Sequence, residues 1–146
     1  MRSALQLIAA ALLTGTAGYA QALTIQNASL QTREDGPAVE AGRLFRAGEL
    51  AYGSFSVSNF KQKASADPDA EETTISLSYR VKIRDPAGLE IQPEETGKVE
   101  AKVRREDKDW RPKIRFQFVM PPLPPSGAYH AELWVKDAFA STEATA

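Results

Sequence analysis

The chain contains no cysteine. That absence excludes disulfide cross-links, thiol catalysis, thiolate zinc sites and iron–sulfur ligation. It also excludes a lipoprotein leader, which needs a cysteine just after its cleavage site. Histidine is nearly absent too, with His130 alone, and tryptophan is limited to Trp110 and Trp134. No sign of charge prevails. The formal net charge is −1, so bulk attraction to nucleic acid or to an anionic membrane is not expected. Beyond residue 22 no apolar run approaches the roughly 20 residues that a spanning helix needs.

What is present begins with an address. Met1-Arg2-Ser3 is a short positive start, Ala4 to Leu13 is an apolar run broken by Gln6, and small residues lead to Ala20-Gln21-Ala22. This is the order of a secretory signal peptide. The expected cut follows Ala22, with a cut after Ala20 as the alternative. An apolar run of about ten residues is too short for a membrane anchor. The simple Ala-x-Ala end reads as bacterial, with a periplasmic or extracellular destination. Residues 23–146 then fit one domain, long enough to bury a core without cross-links.

Period-two alternation dominates that domain. Ile75, Leu77, Tyr79, Val81 and Ile83 alternate with Ser76, Ser78, Arg80, Lys82 and Arg84. This predicts a strand with one apolar face and one wet face, stopped by Asp85-Pro86-Ala87-Gly88. Tyr129, Ala131, Leu133 and Val135 repeat the pattern after the proline-rich stretch 121–127, and Ile114, Phe116, Phe118 and Met120 repeat it again. Weaker strands are expected over 23–30, over 50–60 with Phe55 and Val57 inward, and around Val99, Ala101 and Val103. A short extra strand is expected near Leu89 to Gln92. Strands at this spacing without intervening helices predict an all-β, antiparallel sandwich of about seven strands, with a small barrel as second choice.

Three stretches carry a family resemblance. Pro124-Pro125-Ser126-Gly127-Ala128-Tyr129, then alternation, then Val135-Lys136-Asp137 resembles the late strands of bacterial immunoglobulin-like and fibronectin-III-like modules. Arg46-Ala47-Gly48-Glu49-Leu50 before Phe55-Ser56-Val57 resembles the entry to their second strand. Val81 to Gly88 resembles their strand followed by an Asp-x-x-Gly turn. The resemblance implies an immunoglobulin-like sandwich, with Tyr129 as a tyrosine corner whose hydroxyl bonds back to upstream backbone. The cysteine pair of antibody domains is missing. A final strand has to fit within 138–146, and is either brief or leaves an open edge that a partner strand can join.

Candidate sites are few. His130 lacks a nucleophile and an orienting partner, so it reads as a surface residue rather than a base. Alternation sets Trp134 on the wet face with His130 and Glu132, where a large indole is unusual. If the strands of Tyr79 and Leu133 are neighbours, Arg80, Lys82 and Arg84 lie beside Glu132 and Trp134. That face is either a set of cross-strand ion pairs and a cation–π contact, or a partner-binding face anchored by Trp134. Asp67, Asp69, Glu71 and Glu72 offer oxygens that suit calcium but lack the spacing of a calcium loop. They read as a solvated loop. The segment 98–115 is basic on balance and could meet an acidic partner or a polysaccharide. Trp110 reads as a lid on the core.

The expectation is a non-enzymatic binding or structural module of the cell envelope, with the face Trp134, Glu132, His130, Arg80 and Lys82. Catalytic residues, cofactors and metals are not expected. Its partner would be an envelope protein or a glycan, not nucleic acid. The alternative is a carbohydrate-binding module stacking sugars on Trp134, Trp110 or Tyr52.

Overall fold

A computed structural model describes residues 21–40 and 42–146. The signal-peptide reading over 1–20 lies outside the described residues. Eight antiparallel strands follow in order: β1 Thr24–Gln31, β2 Leu50–Ser58, β3 Lys63–Ala64, β4 Glu72–Arg84, β5 Glu95–Arg104, β6 Lys113–Val119, β7 His130–Asp137 and β8 Thr142–Thr145. Among the described residues there is no helix long and apolar enough to cross a membrane.

The strands form two sheets in a β-sandwich arrangement. One has the order β1-β2-β6. In the other, β4 carries β5 on one edge and both β3 and β7 on the opposite edge, and β8 pairs with β7. The described residues thus form eight strands where about seven were expected. The added one, β3, is two exposed residues long, too short to carry an alternating pattern. The predicted segment near Leu89 forms only a single bridge, between Glu90 and Arg84. The final strand is brief, and its pairing continues through two hydrogen bonds between Ala146 and Leu133.

The core is what the alternation promised. Phe55, Val57, Ile75, Leu77, Val81, Ile83 and Val135 are buried to 2% exposure or less, and they join Ile114, Phe116, Phe118, Met120 and Leu133 in one cluster. Burying each such side chain stabilises the fold by about 1.5–3 kcal/mol, and no cysteine is present to add a cross-link. On β2, Gly53 pairs with Phe116, whose ring lies where a Cβ on residue 53 would sit, only 2.1 Å from that position.

β1 explains its own weak pattern. Ile25 pairs with Val57 and Leu30 with Gly53, so both face the core although they are five positions apart. A bulge between Gln26 and Ser29 supplies the extra residue. Asn27 takes the left-handed conformation there at φ 55°, which asparagine tolerates better than most residues.

Two aspartates end the central strands. Asp85 and Asp137 share inward parity with Ile83 and Val135, and both are buried. Asp85 Oδ1 accepts the N–H groups of Ala87 and Leu89, each at 2.9 Å. Asp137, at 0% exposure, accepts Phe139 N–H at 2.9 Å and Ala140 N–H at 3.3 Å on Oδ1, and Lys61 N–H at 2.6 Å on Oδ2. Each buried carboxylate is thereby solvated by backbone donors. At the start of β7 the Tyr129 hydroxyl donates to the Pro125 carbonyl at 3.1 Å.

Candidate functional site

Pairing of β4 with β7 puts Arg80 opposite Trp134, Lys82 opposite Glu132 and Arg84 opposite His130. Inward neighbours on both strands fill the core, so these residues stand together on the outer face of the larger sheet. The five residues singled out from sequence therefore share one surface.

Its centre is a stack. The Arg80 guanidinium carbon lies 4.0 Å from the centroid of the Trp134 ring, a distance at which cation and π face attract. Trp134 is half-buried rather than exposed, because that guanidinium covers its ring. The indole N–H donates to Glu143 Oε2 on β8 at 3.3 Å. Arg80 itself is exposed. Among the described residues it has no carboxylate within 4.0 Å and its guanidinium donates no hydrogen bond. Its donor edges are free while its flat face is held.

The neighbouring cations are already paired. Lys82 Nζ lies 3.4 Å from Glu90 and 3.3 Å from Glu94, and hydrogen bonds to Glu94 and then Glu90 hold its ammonium above the usual lysine range. Arg84 bonds Glu132 at 2.8 Å through Nε and the Gly88 carbonyl at 3.0 Å. His130 is exposed at the far end of the row. A groove of about 370 Å³ runs between Arg80, Lys82, Glu94, Glu132, Trp134 and Thr145. Sequence reasoning missed Glu90, Glu94 and Glu143. Glu90 and Glu94 lie in the crossing from β4 to β5 and Glu143 on the short β8, where no periodic pattern marks which way they point.

The other candidates are scattered. Tyr52 lies on the outer face of the three-stranded sheet, beside a hollow of about 340 Å³ that also involves Gln31, Ser54, Asp35 and Arg115. There Asp35 bonds Lys113 at 2.9 Å and Arg115 at 3.0 and 3.1 Å. These bonds, Arg115 first, lower its pKa to about 2. Trp110 stands edge-on to Phe60 at 6.2 Å, and Phe60 packs on the core. Trp134, Trp110 and Tyr52 thus occupy three separate surfaces and form no common plane. In the acidic loop, Asp67 Oδ1 accepts Asp69 N–H at 3.0 Å. Among the described residues no three histidine, aspartate or glutamate side chains converge as metal ligands.

Compared with known proteins, the chain matches no family model, no curated protein and no solved structure.

Proposed function

We propose that the chain is a non-enzymatic binding module of the bacterial cell envelope, exported by its N-terminal segment, and that it engages an acidic group of an envelope partner through Arg80. One observation carries the reading: Arg80 is stacked on Trp134 at 4.0 Å while its donor edges remain open in a groove. A guanidinium fixed by stacking loses little freedom when it meets a carboxylate in bidentate fashion. Trp134 then acts as the anchor that holds the cation.

The immunoglobulin-like or fibronectin-III-like reading belongs with this proposal. An assignment of β1, β2 and β6 to strands A, B and E, and of β5, β4, β7 and β8 to C′, C, F and G, is compatible with such a sandwich. The two-residue β3 is then added to the larger sheet, and strand D has no counterpart among the described residues. The bond from the Tyr129 hydroxyl to the Pro125 carbonyl four residues upstream supports a tyrosine corner. The fold by itself dictates no ligand, so the binding claim rests on the Arg80 face.

The test is retention from an envelope extract by immobilised protein, identified by mass spectrometry. The expected result is a specific partner whose capture is lost in Arg80→Ala and in Trp134→Ala and weakens as salt is raised. An unchanged catch in both variants would refute the proposal. The sugar-binding alternative predicts instead that a glycan is retained and that Arg80→Ala still binds it.

A further inference from the structure

β5 is an edge strand. It pairs with β4 along its whole length, and among the described residues its other edge meets no strand. Its backbone donors and acceptors on that side are open over about 33 Å, at 3.3 Å per residue. An edge of this length ordinarily invites another strand unless charge deters it.

The charges on this edge have a particular order. Pairing with β4 points Glu95, Gly97, Val99, Ala101 and Val103 inward and Thr96, Lys98, Glu100, Lys102 and Arg104 outward. Glu94 precedes them on the outer face, bonded to Lys82. Lys98 and Glu100 are exposed, and among the described residues neither has an opposite charge within 4.0 Å. Val99 and Ala101 face the core yet remain half-buried, because no strand lies beyond them.

We propose that a second copy of this chain adds to β5 by antiparallel pairing, with a two-fold axis through Val99. A two-fold axis perpendicular to the sheet keeps both apolar faces on the same side, as a continuous sandwich requires. The charges then choose among registers, since opposite charges directly across a ladder attract and like charges repel. An axis at Gly97 sets Glu94 against Glu100. Axes at Lys98 or Glu100 set that residue against its own copy. An axis at Ala101 sets Lys98 against Arg104. The axis at Val99 sets Lys98 against Glu100 and Glu94 against Arg104, each pair occurring twice, with Thr96 against Lys102. No like charges meet. On the inner face Val99 covers its own copy, and Ala101 lies against Gly97.

This seam runs along the free edge of β5, whereas the Arg80 groove lies on the sheet's outer face. The two share only Glu94, and the pairing of Lys98 with Glu100 does not depend on the binding reading. The full chain is followed by sedimentation velocity over a concentration series at low salt, with circular dichroism confirming that each variant is folded. The expected result is a reversible dimer weakened by salt. Lys98→Glu and Glu100→Lys each put like charges together at two symmetric places, and each should raise the dissociation constant by at least about tenfold, or 1.4 kcal/mol. Mixing the two variants should restore dimers, because the acidic residues at 98 and 100 of one copy then face the basic residues at 98 and 100 of the other. The double variant, which swaps the charges, should also dimerise. A monomer at every concentration overturns the proposal. So does a dimer indifferent to both reversals, or single variants that neither mixing nor swapping rescues.

Discussion

The buried carboxylate of Asp137 accepts the backbone N–H of Lys61 at 2.6 Å, across 76 positions of sequence. This bond ties the end of β7 to the segment leaving β2. Asp137 uses both oxygens as acceptors, whereas Asp85 uses Oδ1 alone for its two backbone donors. An amide can replace Asp85 with its carbonyl in place. At position 137 it must aim an N–H at another donor. Asp137→Asn should therefore cost about 2 kcal/mol, and Asp85→Asn less than about 1 kcal/mol. Urea denaturation of the two variants beside the parent measures the difference. Equal costs would contradict this account of Asp137.

Glycine matters unequally at its two cross-strand aromatic contacts. A Cβ on Gly53 would lie 2.1 Å from the Phe116 ring, and one on Gly97 would lie 2.4 Å from the Tyr79 hydroxyl. Phe116 belongs to the buried core, while Tyr79 is only half-buried at its margin. Gly53→Ala should destabilise by about 2–3 kcal/mol through overpacking, and Gly97→Ala by less than half of that. Thermal unfolding of the pair decides it.

Asp35 predicts an acid-dependent step. Its pKa is about 2 in the folded chain, against an ordinary value of 3.8. A lowered carboxylate pKa contributes stability above the unfolded value and loses it as pH falls through the folded value. The contribution is therefore complete above about pH 4 and fades toward pH 2. It is modest, because the group is exposed and screened. In Asp35→Asn, stability should fall less steeply between pH 4 and 2, with no change of slope near neutrality. Identical slopes in parent and variant would show that the contacts to Arg115 and Lys113 do not persist in solution.

The Arg80–Trp134 stack also has a value apart from any partner. A double-mutant cycle with Arg80→Ala and Trp134→Ala should give a coupling of about 0.5–1 kcal/mol in unfolding free energy, the usual range for an exposed cation–π contact. Coupling near zero would mean that the guanidinium is not held on the ring.

Much of this was legible in sequence, and the reasons are local. β4, β6 and β7 announced themselves because period-two alternation and the prolines and glycines that stop it are properties of neighbouring residues. The same parity marks Asp85 and Asp137 as inward-facing. β1 read weakly because its bulge at Asn27 shifts the phase of Ile25 relative to Leu30. Trp134 read as exposed because alternation assigns a face and does not reveal what lies over it.

Sequence alone therefore determined that the domain is all-β, which side chains enter the core and where the main strands stop. Each follows from the backbone's two-residue repeat and from turn chemistry. Tertiary structure alone decided which strands became neighbours. Only that pairing set Arg80 on Trp134, brought Glu90 and Glu94 to Lys82, bound Lys61 to Asp137 and, among the described residues, left the far edge of β5 unpaired. These relationships join residues far apart along the chain, and no local pattern encodes the distance between them.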